Sequence, residues 1–495
     1  MKQHSKVLVA ILILLGLTAC SKSPDQHIRF GMSKMASNMD TRHMTDAASF
    51  RIGRLIYQRL VDFDDQMQVI PSIASWKLIN PQQYKFTLQP GLTFHNGMPL
   101  GSEDVKATYD YILDRKHGSP HRGTLAIIDH IETPDQQTVI FHLKRADALF
   151  PAYLIIGILP AELIRNNHRF EILPVGSGPF RLVEWPEEAR MIVERISDKQ
   201  MFEFIEVPKP LTRSLKLARG EIHMMQNNIP SELVGWLKQQ PGLQVQRRHG
   251  SNFSYLGLNM EDPELSKAEI RLAMAYAIDR KQIIDYIFQQ DAREAAALLP
   301  SDHWAGNPQL IPLKYQPEKA RQLLQSAGYS LTHPLKLTFK TSSDPFRVRL
   351  ATIIQDQLKQ VGIEIEIRSY DWGTFYGDIK EGRFQLFSLS WVGIKTPDIF
   401  RYVFHSSAIP PNGANRGRYK NARVDGLIEA AEQQTSPAAQ AKLYQALQTL
   451  LLEDLPYIPL WYEDHIFISN QNISGYEISA DGNFDGLLTT TLKQK

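Results

Sequence analysis

The chain has 495 residues, 43% of them hydrophobic and 22% charged, and a formal net charge of +2 at neutral pH. That balance belongs to a water-soluble globule long enough for two or three domains, and it excludes a nucleic-acid partner, which would need a basic stripe. The single cysteine, Cys20, excludes internal disulfides and any zinc site built on cysteines, and a chain of this size buries enough apolar surface without cross-links.

The amino terminus reads as an export signal. Lys2 and Lys6 supply positive charge, Val7 to Leu17 is apolar, and small residues lead into Cys20. The apolar run of about 11 residues is too short to cross a bilayer, which takes roughly 20. Leu17-Thr18-Ala19-Cys20 resembles the bacterial lipobox. Residues 1–19 are therefore expected to be removed, Cys20 to be diacylated, and 20–27 to form a polar tether. The expected location is the cell envelope, with the anchor as the only membrane contact. It would sit on the periplasmic face of a membrane, or on the outer face of the cytoplasmic membrane in a Gram-positive cell. Both excess positive charges leave with the leader, so the mature chain is close to neutral.

Downstream, Tyr84–Leu88 alternates as a strand, with Pro90-Gly91 after it. Ser102-Glu103-Asp104 opens a helix through Leu113, its acids favoured by the helix dipole. Thr138–Leu143 is another strand. Ala268–Phe288 shows the i, i+3, i+4, i+7, i+8 apolar spacing of one helix, through Ile270, Ala273, Met274, Ala277 and Ile278. A shorter helix starts at Pro317 and ends at Gly328. Strand Leu335–Phe339, a helix over Leu350–Val361, strand Ile363–Ile367, a helix over Trp372–Lys380 and strand Phe384–Ser390 form a βαβαβ unit. A parallel sheet with right-handed crossovers is the expected core. Ligands of such sheets sit beyond the carboxyl ends of the strands, so the loops from Thr341, Ser369 and Trp391 are cleft candidates. A last helix runs from Pro437 with Leu443, Tyr444, Leu447, Leu450 and Leu451 inward.

Several motifs then fall in a recognisable order. They include Arg54 to Val61, Ile70-Pro71-Ser72-Ile73-Ala74-Ser75-Trp76, Pro90 to Gly97, Pro174 to Phe180, Tyr255-Leu256-Gly257-Leu258-Asn259, Ala277-Ile278-Asp279-Arg280, Asn415-Arg416 and Pro456-Tyr457-Ile458-Pro459-Leu460. Together they resemble the family 5 substrate-binding proteins of bacterial ABC importers, the dipeptide- and oligopeptide-binding group. The resemblance implies an α/β, two-lobed periplasmic-binding-protein-like fold with a hinge and an additional subdomain in the first lobe. Lobe I would comprise 28–257 plus 468–495, with the extra subdomain roughly at 42–170, and lobe II 258–467. The crossings would lie near Tyr255–Asn259 and Trp461–Ile468. An ABC permease and ATPase are the implied partners. A monomer without cofactor, metal or catalysis is expected. A sensor or accessory binding lipoprotein on the same fold is the alternative, and a hydrolase a distant one.

Gly176-Ser177-Gly178-Pro179 lacks the Gly-Lys-Ser/Thr end of a phosphate loop and reads as a turn bringing two backbones together. It is not a Gly-x-Ser-x-Gly nucleophile elbow either. His43, His95, His121, His130, His303, His405 and His465 form no i, i+4 pair on a helix and read as surface or packing residues, with a ligand role toward nickel or haem iron as the lesser alternative. The candidate ligand-binding residues are Ser390, Trp391, Val392, Gly393, Ile394 and Asp398 in the third strand-end loop, Arg347 and Arg349 at a helix start, and Asn415 and Arg416. The aromatic Trp391 suits an apolar wall, and an arginine suits a ligand carboxylate.

One departure from the family pattern bears on specificity. Peptide-binding members resemble Trp-x-x-Asp in this loop, the acid pairing with the ligand's α-ammonium. Here the acid position is Ile394, followed by Lys395. The usual anchor is missing, so ligands without a free α-ammonium at that end are expected, unless Asp398 reaches back to replace it.

Overall fold

The computed structural model describes residues 27–493. The leader, Cys20 and nearly all of the tether lie outside the described residues. The βαβαβ unit consists of strand Leu335–Ser342, helix Pro345–Lys359, strand Ile363–Tyr370, helix Trp372–Glu381 and strand Leu386–Trp391. The first strand lies centrally, pairing in parallel with both others. Pro345 begins its helix behind an Asp344 side chain that accepts from the Arg347 amide, a cap that fixes where the strand-end loop stops.

The helix expected over Ala268–Phe288 is two helices, Ala268–Ala277 and Arg280–Tyr286. Asp279 breaks the run by accepting from the Gln282 amide and starting a new helix. The carbonyls released at the break do not go unpaired. The buried Arg280 guanidinium donates to Ala275 O at 3.0 Å and Ile278 O at 3.1 Å, and to Pro459 O at 2.7 Å. Apolar periodicity continues across the break, which is why spacing alone reads it as one helix.

A single sheet runs through the whole molecule. Leu243–Leu258 and Tyr457–Asn470 are long antiparallel partners at its centre. On one side lies the parallel unit. On the other lie Met224–Gln226, Ile28–Met32, Met201–Glu206, Arg190–Arg195 and Phe180–Glu187. The register of the two long strands shifts twice, between Ser254 and Tyr255 and, in a wider break, between Arg248 and Asn252, opposite His465 and Glu463. Gly250 sits in that break, where a Cβ would collide with the Glu463 carbonyl oxygen. Before the break, Val245, Ile466 and Ile468 pack in a first-lobe core. After it, Phe253, Tyr255 and Tyr462 pack in a second-lobe core. The break therefore precedes the Tyr255–Asn259 segment in which the first crossing was expected. Tyr255 is already fixed in second-lobe packing.

A four-stranded antiparallel sheet, Ala74–Asn80, Gln83–Leu88, Thr138–Leu143 and Ile128–Glu132 in that spatial order, forms the additional subdomain. It has its own core from Leu60 to Ile158, under helix Ser102–Leu113. The Gly176–Pro179 turn joins this part to helix Ala47–Ile56. The Gly178 amide donates to Ile56 O at 2.7 Å, and a side chain at either glycine would strike that carbonyl. No described helix is long and apolar enough to cross a membrane.

Candidate functional site

Strand Leu386–Trp391 is held on one edge by Leu243–Leu258, with Trp391 opposite Phe253, and it delivers the loop at 392–398 into the space between the lobes. A cavity of about 1040 Å³ opens there. Its second-lobe wall is Trp391, Val392, Gly393, Ile394, Lys395, Thr396 and Asp398, and its opposite wall includes Thr124, Lys144, Arg145, Asp147 and Tyr153 of the subdomain. A further cavity of about 540 Å³ shares Thr124, Tyr153, Val392, Gly393, Lys395, Thr396 and Asp398 and extends past Tyr57 and Arg59 to Asp481. The two make one cleft of a size and mixed lining suited to a small polar ligand.

The acidic groups of the cleft fall into two sets. Lys395 Nζ pairs with Asp481 Oδ2 at 2.6 Å, and Arg401 meets Glu432 through two bonds of 2.6 and 2.8 Å. The second set is unpaired. Asp147 is buried, takes the Leu149 amide at 2.9 Å and the Tyr153 hydroxyl at 3.2 Å, and makes no ion pair among the described residues. Burial holds its carboxyl above the ordinary range, with nearby Arg145 opposing the shift and Glu432 adding to it. Asp398 accepts from the Thr396 hydroxyl and also lacks a basic partner among the described residues. Burial pushes its carboxyl up to about 6, with Asp147 across the cleft as a further cause. The buried Tyr444 hydroxyl has no hydrogen-bond partner among the described residues and lies in the field of Glu432, Asp398 and Asp147.

The remaining candidates divide plainly. Trp391 lines the cavity, with the Arg416 guanidinium 4.9 Å from its ring centroid and Tyr402 edge-on at 6.2 Å. Arg416 is buried behind it, donating to the Tyr255 and Tyr376 hydroxyls at 3.3 and 3.1 Å. Asn415 is buried and spends its side chain on the backbone of His405 and Tyr419. Ser390 Oγ lies 2.7 Å from Ser254 Oγ in the neighbouring strand. Arg347 and Arg349 are away from the cavity. The first stands 3.6 Å from Glu463, and the second reaches 2.9 Å to Glu232 of the other lobe. Ile394 is 8% exposed and packs in the second-lobe core while touching the cavity edge. The Lys395 amine beside it is turned to Asp481. Burial holds His303 down to about 4, so its neutral ring donates from Nε2 to Lys395 O at 3.0 Å and accepts the Ala305 amide at Nδ1. Sequence reasoning missed Asp147, Tyr153 and Asp481, which carry no local motif and arrive from the other wall.

A model of the bacterial extracellular solute-binding proteins, family 5 Middle, matches residues 68–410. The match covers more than half of the chain, which belongs to this family of solute-binding proteins and is not an enzyme. It is 25% identical to the oligopeptide-binding protein AppA of Bacillus subtilis, over 95% of each chain. It is 26% identical to the heme-binding protein A of Haemophilus influenzae, over 86% of this chain and 85% of that one. The periplasmic binding protein DppA of Helicobacter pylori, solved with the peptide STSA, superposes with a TM-score of 0.77 at 26% identity, covering 94% of this chain and 98% of that one.

Proposed function

We propose that this protein is the lipid-anchored receptor of an ABC importer, and that it takes up a peptide-like or other small polar solute bearing a positive group. The family match and the peptide-binding relatives support the importer role. The observation that carries the choice of ligand is the acid pair Asp147 and Asp398, one on each wall of the cleft and neither in an ion pair among the described residues. A ligand ammonium between them would relieve their mutual repulsion and join the two lobes, so the ligand adds to the stability of the closed form. Asp398 thereby replaces the acid that Ile394 lacks, four residues further along the loop. The two-lobe division remains part of this reading, with the first crossing set at the Arg248–Asn252 shift, so that residues 253–257 pass from the expected 28–257 portion to the second lobe. So does Cys20 as the anchor, for which intact mass of the exported protein is the check: diacylglycerol on residue 20 and no residue before it.

Calorimetry with one peptide and its acetylated form tests the ligand reading. The wild type is expected to prefer the free amine, and Asp398→Asn to lose about 100-fold in affinity for it, on the order of 3 kcal/mol, as an ion pair broken in a dry site does. Equal binding of both forms by the wild type would rule out the acid pair as the ammonium site.

A further inference from the structure

On the outer face of the subdomain sheet, away from the cleft, we infer a binding site for a divalent late first-row transition metal, zinc foremost, formed by His130, His142 and Glu132. His130 and His142 are directly opposed on the antiparallel strands Ile128–Glu132 and Thr138–Leu143. Glu132 follows His130 by one pleat, so all three side chains leave the same face. Their ligating atoms lie within 4.8 Å of one another.

Three features favour a metal over an ordinary surface cluster. The first is spacing. Glu132 Oε1 stands 3.5 Å from His130 Nε2 and 3.3 Å from His142 Nε2. Bonds of about 2.0–2.1 Å at tetrahedral angles put neighbouring ligand atoms about 3.4 Å apart.

The second is support behind the ligand. His130 Nδ1 is 2.8 Å from Asp129 Oδ2, which holds the proton on that nitrogen and leaves the Nε2 lone pair facing the cluster. The chain arranges this with a bulge. Ile128 pairs with Leu143 and His130 with His142, leaving Asp129 as the extra residue. Strict alternation would turn Asp129 inward, but the bulge puts Asp129 and His130 side by side on the solvent face while Ile128 and Ile131 stay buried.

The third is the state of His142, whose Nε2 is covered from solvent and, among the described residues, makes no hydrogen bond, with the Glu132 carboxylate 3.3 Å away. The two rings are stacked 4.0 Å apart at 9°, and capture requires them to open toward Glu132. They lie on an edge strand and its neighbour, and the His130 side chain is 52% exposed. Two imidazoles and one carboxylate suit zinc, nickel or copper rather than calcium or magnesium. Solvent fills the fourth position. The strand pair that would be clamped ends at Ile127 and Lys144, which line the cleft.

The test is calorimetry of the untagged mature protein, stripped with chelator and titrated with zinc chloride. One site per chain with a Kd at or below about 10 μM is expected, together with a rise in melting temperature through linkage. His142→Ala and Glu132→Gln should each weaken binding at least tenfold, and Asp129→Asn about tenfold by releasing the His130 ring. Melting temperatures in chelator should match the wild type, since these side chains lie outside the core. Absence of saturable binding up to 1 mM zinc overturns the site. Undiminished affinity in a His130→Ala/His142→Ala double variant overturns it equally, by placing the metal elsewhere.

Discussion

The rim of the cleft and its interior treat charge in opposite ways. At the rim, Lys395 and Asp481 join the loop at 392–398 to the first lobe, and Arg401 and Glu432 form a bidentate pair. Inside, Asp147 and Asp398 oppose each other with only hydroxyl and amide donors. A closed ion pair contributes the same attraction whether or not a ligand is present, so it sets the resting geometry. An unpaired acid pair makes the empty site less favourable and gives a cationic ligand its advantage on entry. The comparison separates residues that hold the lobes from residues that select what lies between them.

The largest effect outside the acids is expected from Trp391. Its indole presents one side to the cavity, while Arg416 lies against the ring and Tyr402 touches its edge. Trp391→Ala should cost about 2 kcal/mol of ligand affinity, roughly thirty-fold, as loss of a central aromatic contact does. Arg416 should remain in place through its two tyrosine hydroxyls, so the melting temperature of the ligand-free protein should move little. An unchanged calorimetric affinity would return Trp391 to a purely packing role and leave selection to the acids alone.

The second-lobe wall was legible in the sequence, because period-two strands alternating with helices fix where strand ends point. Trp391 followed from that rule and from the family motifs. Asp147 did not. It stands on a loop beyond a separate antiparallel sheet, and only the folded arrangement brings it opposite Asp398. Asn415 and Arg416 matched the family pattern, yet they act behind the site, because buried side chains of that kind satisfy backbone and hydroxyl groups first. The His130–His142 pair escaped a search for helical i, i+4 spacing because it depends on strand register and on the Asp129 bulge, neither of which is local in sequence.

A smaller effect, about tenfold, is expected from pH. Asp398 has its ordinary value of 3.8 when unfolded and about 6 in the fold. Its ionisation therefore costs the ligand-free fold stability progressively as pH rises across that window, and the cost is absent below it. Cation binding needs the ionised form, so affinity should rise with pH through about 6 and release a proton there. From pH 7 down to pH 5, one such group weakens binding by about tenfold. His303 and His465, both held down to about 4, are neutral throughout that range and do not contribute. Calorimetry in buffers of different ionisation enthalpy reads the proton directly. A flat pH profile in the wild type, identical to that of Asp398→Asn, would show that the acid pair plays no part in selection.

The smallest effect belongs to the rim. The Lys395 and Asp481 side chains are 21% and 11% exposed, so their pair is partly shielded from solvent. Although burial alone would raise the Asp481 carboxyl, Lys395 and Arg54 hold it below the ordinary range. Lys395→Met keeps the length of the side chain and removes the charge, leaving Asp481 with the Asn483 amide at 3.1 Å. Without the pair, the resting population should shift toward open forms. The scattering radius of the ligand-free protein should grow, while the ligand-saturated radius should stay the same. Affinity should fall about three- to fivefold, close to 1 kcal/mol, as expected for a partly exposed pair. The Lys395→Met/Asp481→Asn double variant should lose no more than the single, because both changes remove one interaction. Additive losses, or a ligand-free radius that does not move, would mean that the pair is not a latch and that the acids inside set both closure and choice of ligand.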